Sequence, residues 1–189
     1  MKTLDALLTR ISNPYLAEPI PSKENMSLVY QSALRAPDHA WLRPWRFIEI
    51  TGSSRSKLAK AFLKSAEKKS QETQVSEELK KKIALMPFRA PMIIVIIINK
   101  VERPNVPVIE QIQSTAAATQ NMLLALHDMG FGAFWRTGNF VSYSNKFIAD
   151  ELSLPKESEV LGYLYVGTPN AKGKEIPKLK NEDFVTFWN

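Results

Sequence analysis

A chain of 189 residues with 44% hydrophobic, 10% aromatic and 23% charged residues has the length of a single domain and enough apolar side chains to build a core. With no Cys it has no disulfide, thiolate metal site or cysteine nucleophile, a composition that fits a reducing compartment, and 7 Gly with 12 Pro exclude collagen-like and low-complexity chains. The net charge of +6 is local, because residues 55–82 hold nine Lys/Arg against four Glu; Phe62 is the only aromatic there, so the stretch reads as a solvated helical face and not as a stacking surface for nucleic acid.

The first residues place Asp5 and Arg10 where a leader peptide needs an unbroken apolar run, so the chain is expected in the cytoplasm. Leu4, Leu7 and Leu8 share one side of a short helix predicted over residues 3–9. Asn13-Pro14 stops it, because the residue before proline is pushed out of the helical region, and Arg10 and Ser12 therefore lie at a helix exit. Ser22 is the expected N-cap of a second helix to Leu34, with Met26, Val29, Tyr30 and Ala33 at helical spacing. Residues 45–50 alternate as a strand, Gly52-Ser53 closes it, and a polar helical region runs to about Leu85, split into two helices near Gln74.

The run 92–98 is uniformly apolar, bounded by Pro91 and Asn99-Lys100, and far short of the ~20 residues that span a bilayer; it reads as a buried strand, with no membrane segment expected. The strongest helix is predicted over residues 108–129, with an apolar stripe of Ile109, Ile112, Ala116, Thr119, Leu123 and Leu126. Ala116-Ala117-Ala118 lets another helix come close. Gly130 ends it. A strand follows over 131–136, then a helix near 143–152, a strand over 159–166, and a last extended segment, 184–188, that needs a sheet edge to pair with, such as a partner chain's. Mixed helices and strands without strict alternation make the fold class α+β.

Familiar sites are missing. No dinucleotide or phosphate-loop glycine fingerprint occurs, no Gly-x-Ser-x-Gly elbow places a nucleophile, and His39 and His127 stand far apart without Cys to complete a zinc set. What remains lies outside the regular elements. Arg10-Ile11-Ser12 offers a guanidinium and a hydroxyl suited to a phosphate. Arg35-Ala36-Pro37-Asp38-His39, Trp41 and Pro44-Trp45-Arg46-Phe47 crowd cations, an imidazole and indoles into one loop, and Phe134-Trp135-Arg136-Thr137-Gly138 ends a strand.

These clusters, together with Leu16-Ala17-Glu18-Pro19, Phe88-Arg89-Ala90-Pro91, Gln120-Asn121, Gly130-Phe131-Gly132 and Gly162-Tyr163-Leu164-Tyr165-Val166-Gly167-Thr168-Pro169, stand in order along nearly the whole chain. They resemble the nitroreductase superfamily, and within it the short, YdjA-like branch. The resemblance implies one domain over residues 1–189, a mainly antiparallel central sheet flanked by helices, and a homodimer with C-terminal strand exchange. It implies FMN at the interface, with NADH or NADPH as electron donor and a nitro compound, quinone or similar planar molecule as acceptor in a ping-pong cycle. It also implies roles: Arg10, the backbone of Ile11, and Ser12 at the phosphate and ribityl chain, Arg35 and His39 reaching the flavin from the other subunit, main-chain groups of Trp135, Arg136 and Thr137 along the ring, and Lys172 near the phosphate. Ile11 replaces a cation common in relatives, and Arg43 stands where they often carry Gln or Asn. The alternative is a flavin protein that stores or senses without turnover.

Overall fold

The computed structural model describes residues 2–69, 75–137 and 146–188. Its centre is a five-stranded sheet whose pairings are all antiparallel: β1 (Leu16–Ala17), β2 (Trp45–Thr51), β3 (Met92–Asn99), β4 (Gly132–Arg136) and β5 (Ser158–Pro169). β5 is the hub. It pairs β3, β4 and β1, and β3 in turn pairs β2. The expected α+β class with a mainly antiparallel sheet is what the chain adopts.

The uniformly apolar β3 is buried on both faces, as its composition requires. Met92, Ile94, Ile96 and Ile98 enter one core with α2 (Lys23–Ala33) and α5 (Val108–Asp128), while Ile93, Val95 and Ile97 enter the other with α3 (Ser54–Lys69), α4 (Glu77–Leu85) and α6 (Lys146–Glu151). Helix starts follow the cap chemistry: the Ser22 hydroxyl accepts from the Asn25 N–H at 3.2 Å, and Ser76 does the same for Leu79. α1 (Thr3–Thr9) buries only Ala6 and leaves Leu4, Leu7 and Leu8 exposed.

Two expectations need correction. The buried face of α5 keeps Thr119, Leu123 and Leu126 of the predicted stripe, with Ile112 partly buried against the same core, but it extends to Gln111, Ser114, Thr115, Ala118 and Met122, while Ile109 is 57% exposed. Hydroxyls bonded back along the helix made this legible only afterwards: Ser114 donates to the Glu110 carbonyl, Thr115 to Gln111 and Thr119 to Thr115, each at 2.9 Å. Gln111 exchanges two bonds with the Val101 backbone, so a polar residue faces inward at little cost. Residues 184–188, read as a strand in want of a sheet edge, follow a 3-10 turn, Asn181–Asp183, and pair with no strand among the described residues. An isolated extended segment has no ladder without a second edge. The polar region does divide into two helices, but the hinge at Gln74 and the start of the helix at 143–145 lie outside the described residues.

Near the end of β4, β5 carries one extra residue, Leu161, between the pairs Ile96–Gly162 and Ile97–Val160. At Gly162 (φ +153°) a Cβ would stand 2.6 Å from Trp135 Nε1 and 2.8 Å from the Arg136 carbonyl oxygen. Gly162→Ala should therefore cost about 1–3 kcal/mol. Urea unfolding at unchanged slope is the check, and an unchanged midpoint would show that β4 yields freely.

Candidate functional site

The chain leaves α1 at Arg10 and runs extended beside β4. Asn13 fastens it. Its N–H donates to the Ala133 carbonyl at 3.1 Å, its Nδ2 to the Ala171 carbonyl at 3.1 Å, and its Oδ1 accepts from the Tyr15 N–H at 2.9 Å. The side chain is buried with both ends used, so the 10–15 segment is held between β4 and residues 170–173. Gly173 permits this: a Cβ there would lie 2.3 Å from Ile11 Cδ1.

A cavity of about 430 Å³ opens beside this segment, lined by Arg10, Ile11, His127 and Lys172 and floored by the backbone of residues 130–133. Arg10 Nη1 is buried and has no hydrogen-bond partner. An unpartnered buried guanidinium nitrogen calls for an acceptor, and beside a lysine the fitting acceptor is an anion. His127 Nε2 lies 2.9 Å from the Thr9 hydroxyl. Because that hydroxyl donates to the Asp5 carbonyl, the imidazole is the donor in this contact.

At the end of β4 successive side chains take opposite faces. Trp135 packs with the α2/α5 core, its Nε1 buried without a partner, while Phe134 packs with the other core. Arg136 opens on a second cavity of about 510 Å³, together with Arg89, Tyr165, Phe134 and Tyr15. Arg136 Nε and the Tyr163 and Tyr165 hydroxyls are buried without partners. Burial pushes the Tyr165 hydroxyl up to about 12, against the opposing pull of Arg136 and Arg89.

The structure thus brings Arg10, Ile11 and Lys172 to one cavity beside the start of β4, and sets Trp135, Arg136 and Thr137 at the far end of that strand, where Arg136 lines the second cavity. Ser12 is exposed and lines neither cavity. Arg35, just past α2, and His39, at the turn His39–Trp41, are exposed and also outside both; His39 Nδ1 lies 2.5 Å from a Glu110 carboxylate oxygen. Their loop is strained, with Ala40, Trp41 and Arg43 all at positive φ and the Arg43 guanidinium 5.5 Å from the Trp41 ring centroid. Gly138 lies outside the described residues. Asn13, Arg89, His127 and Tyr165 line or fasten the cavities without a site role in any sequence pattern. Only Arg89 and Tyr165 stood in a recognised string, and an Asn before Pro reads as a turn residue. Among the described residues no cluster of three metal-ligating side chains occurs, and no helix is long and apolar enough to cross a membrane.

Comparison with known proteins places the chain. Residues 11–168 match the Nitroreductase family. The "Putative NAD(P)H nitroreductase YdjA" of Escherichia coli (strain K12) is 30% identical over 189 residues, covering 100% of both chains. A "Putative NAD(P)H nitroreductase" of Haemophilus influenzae is 32% identical over 190 residues, covering 99% of this chain and 100% of that one. Among solved structures, a nitroreductase-like family protein from Bacillus cereus superposes with a TM-score of 0.82 at 20% identity, over 100% of this chain and 96% of that one. This chain belongs to the nitroreductase family, whose members are oxidoreductases.

Two outcomes test the geometry. Asn13→Ala removes two part-buried hydrogen bonds made by a buried side chain and should destabilise the fold by about 1–3 kcal/mol in urea unfolding; an unchanged midpoint contradicts the clamp. Tyr165 keeps its proton in the folded chain above the pH at which an unfolded tyrosine loses it, so its contribution is complete below pH 10 and is lost as pH rises toward 12. Tyr165→Phe should flatten that alkaline loss in stability measured across the interval, and an unaltered slope would refute it.

Proposed function

We propose that the chain is an FMN-dependent oxidoreductase that takes a hydride from NADH or NADPH and reduces a nitro compound, quinone or similar planar acceptor, with donor and acceptor alternating at one site. The observation that carries this reading is the buried, unpartnered Arg10 Nη1 on a cavity wall shared with Lys172. The two side chains suit the phosphate dianion of FMN, Arg10 through its fork and Lys172 as a mobile charge at the rim. The names of relatives agree: YdjA is named for NAD(P)H, and a Sphingopyxis-type nitroreductase, NfnB, with a TM-score of 0.78 at 13% identity, is described as FMN and NADPH-dependent.

Bound there, FMN supplies a ring that accepts a hydride and passes electrons on. The protein's part is to hold and orient. The main chain of Trp135, Arg136 and Thr137 lies at the end of β4, the strand whose start borders the Arg10 cavity, and in this reading it follows the ring edge while the Trp135 and Arg136 side chains point away to opposite faces. Ile11 packs over Gly173 and makes one wall of the cavity apolar. Ser12, Arg35 and His39 lie outside the cavities of their own chain, and in this reading Ser12 reaches the ribityl chain and Arg35 with His39 serves a flavin held by a second copy.

A homodimer accounts for apolar surface that one chain leaves in water. Leu4, Leu7 and Leu8 of α1, Val108 and Ile109 of α5, and Phe184, Phe187 and Trp188 at the C-terminus are all exposed. Exchange of the 184–188 segment would give it the sheet edge it lacks at home. With no Cys in the sequence the enzyme suits the cytoplasm.

The purified chain should carry or take up FMN with a flavin absorbance band, and NADH or NADPH should bleach it without oxygen. Arg10→Ala should weaken FMN binding roughly 10- to 100-fold, the ~1.5–3 kcal/mol of a charge-assisted bond. A colourless chain that ignores added FMN overturns the reading. Bound FMN that neither nucleotide bleaches selects storage or sensing, and a monomer at micromolar concentration in light scattering removes the dimer.

A further inference from the structure

Arg10, Lys172 and His127 are the charge-bearing side chains on the walls of the Arg10 cavity, and the proposed function uses only the first two. His127 is half-buried in the last turn of α5, and Leu123, one turn earlier, lines the same cavity. After it the chain turns at Gly130 (φ +83°) into the backbone that floors the cavity. The ring is also tied to α1, because Nε2 lies 2.9 Å from the hydroxyl of Thr9, the residue before Arg10. Two helix ends and a turn therefore hold the imidazole in the cavity that Arg10 and Lys172 share.

The hydrogen bonds fix which nitrogen is free. The Thr9 hydroxyl gives its proton to the Asp5 carbonyl, so Nε2 carries the hydrogen of the neutral ring and Nδ1 the lone pair. Nδ1 has no hydrogen-bond partner among the described residues. A second proton can enter only there, and it turns the ring into a cation with a new N–H to give. The charged groups around the ring are Arg10 from α1, Lys172 from the 170–173 segment and Asp128 beside it on α5, while Asp5 acts through its carbonyl on Thr9. Imidazole is the only one of these groups whose ordinary titration falls between about pH 5 and 8. A phosphate dianion brings about two negative charges, more than Arg10 alone matches. It also meets the C-terminal end of α5, whose dipole opposes an anion and favours a cation in the last turn.

We propose that His127 is a third phosphate-binding residue of this cavity, which takes up a proton at Nδ1 and donates it to the phosphate of FMN in a hydrogen bond, while Nε2 keeps its bond to Thr9. This rests on the flavin reading and adds to it a regulation of the same site by pH. The sign follows from linkage: a ligand that prefers the imidazolium binds more tightly as pH falls through the imidazole titration, and by reciprocity the bound ligand moves that titration to higher pH. The phosphate loses its own second charge below about pH 6, which works the other way. That loss is common to every variant, so the ratio of affinities between two variants isolates the contribution of His127.

The test is the dissociation constant of FMN, read by flavin fluorescence on the full chain at about pH 5.5 and about pH 8, with riboflavin as the probe that lacks the phosphate. His127→Gln should bind FMN roughly 10-fold more weakly than the unaltered chain at the lower pH, the size of one charge-assisted bond, and equally well at the higher pH. Riboflavin should not distinguish the two proteins at either pH. The chain has only two histidines, so its imidazole resonances are assigned by the same variant, and in the unaltered protein FMN should move the His127 titration to higher pH while riboflavin leaves it in place. An affinity ratio that does not change with pH, an equal loss of riboflavin, or a His127 titration that FMN leaves unmoved would overturn the proposal. Arg10→Ala separates the two levels: if it weakens FMN while the His127→Gln ratio stays flat, only the role of His127 falls. If it leaves FMN untouched, the phosphate reading falls and takes the role of His127 with it.

Discussion

Everything at the site depends on the antiparallel ladder between β4 and β5. Its register, from Gly132 opposite Gly167 to Arg136 opposite Tyr163, decides which β4 side chains face which core. Shifting it by one residue would exchange Trp135 with Arg136 and would move both cavities' walls at once. The bulge at Leu161 and the missing side chain at Gly162 let β4 approach closely enough for that register, and Asn13 then hangs the Arg10 segment on its outer edge. The arginine that carries the functional reading, the C-cap of α1, is thus placed by the helix exit and by the backbone bond of Asn13 to β4.

The distribution of polar groups separates structure from function. Inside α5, Gln111, Ser114, Thr115 and Thr119 are buried and all have partners, so they need nothing from outside. Around β4 the pattern reverses: Arg10 Nη1, Trp135 Nε1, Arg136 Nε and two tyrosine hydroxyls are buried without partners. A fold that satisfies its internal polar groups in one region and leaves five unsatisfied in another gives the second region the stronger claim as a candidate site.

Much of this was legible in the sequence. Ser22 as an N-cap, the apolar 92–98 strand, Gly130 as a helix stop and the strand before Arg136 all follow from local chemistry, and the ordered motifs pointed to the family. Three things were not legible. The face of α5 widened because hydroxyls folded back onto carbonyls let polar residues go inward, a solution that apolar periodicity does not register. Asn13 acts through Ala133 and Ala171, partners 120 and 158 positions away, and no local pattern announces such a tie. Arg35 and His39 share no cavity with Arg10 in their own chain, a separation that no local sequence pattern announces.

The proposed function requires Arg10 and Lys172 to receive the phosphate of FMN. A crystal structure of the protein grown with FMN would decide it. The phosphate should lie against Arg10 Nη1 with Lys172 close by, the ring beside the main chain of residues 135–137, and a second copy over it. Flavin density elsewhere, or a refined Arg10 cavity holding only water in crystals whose protein is yellow, would contradict it.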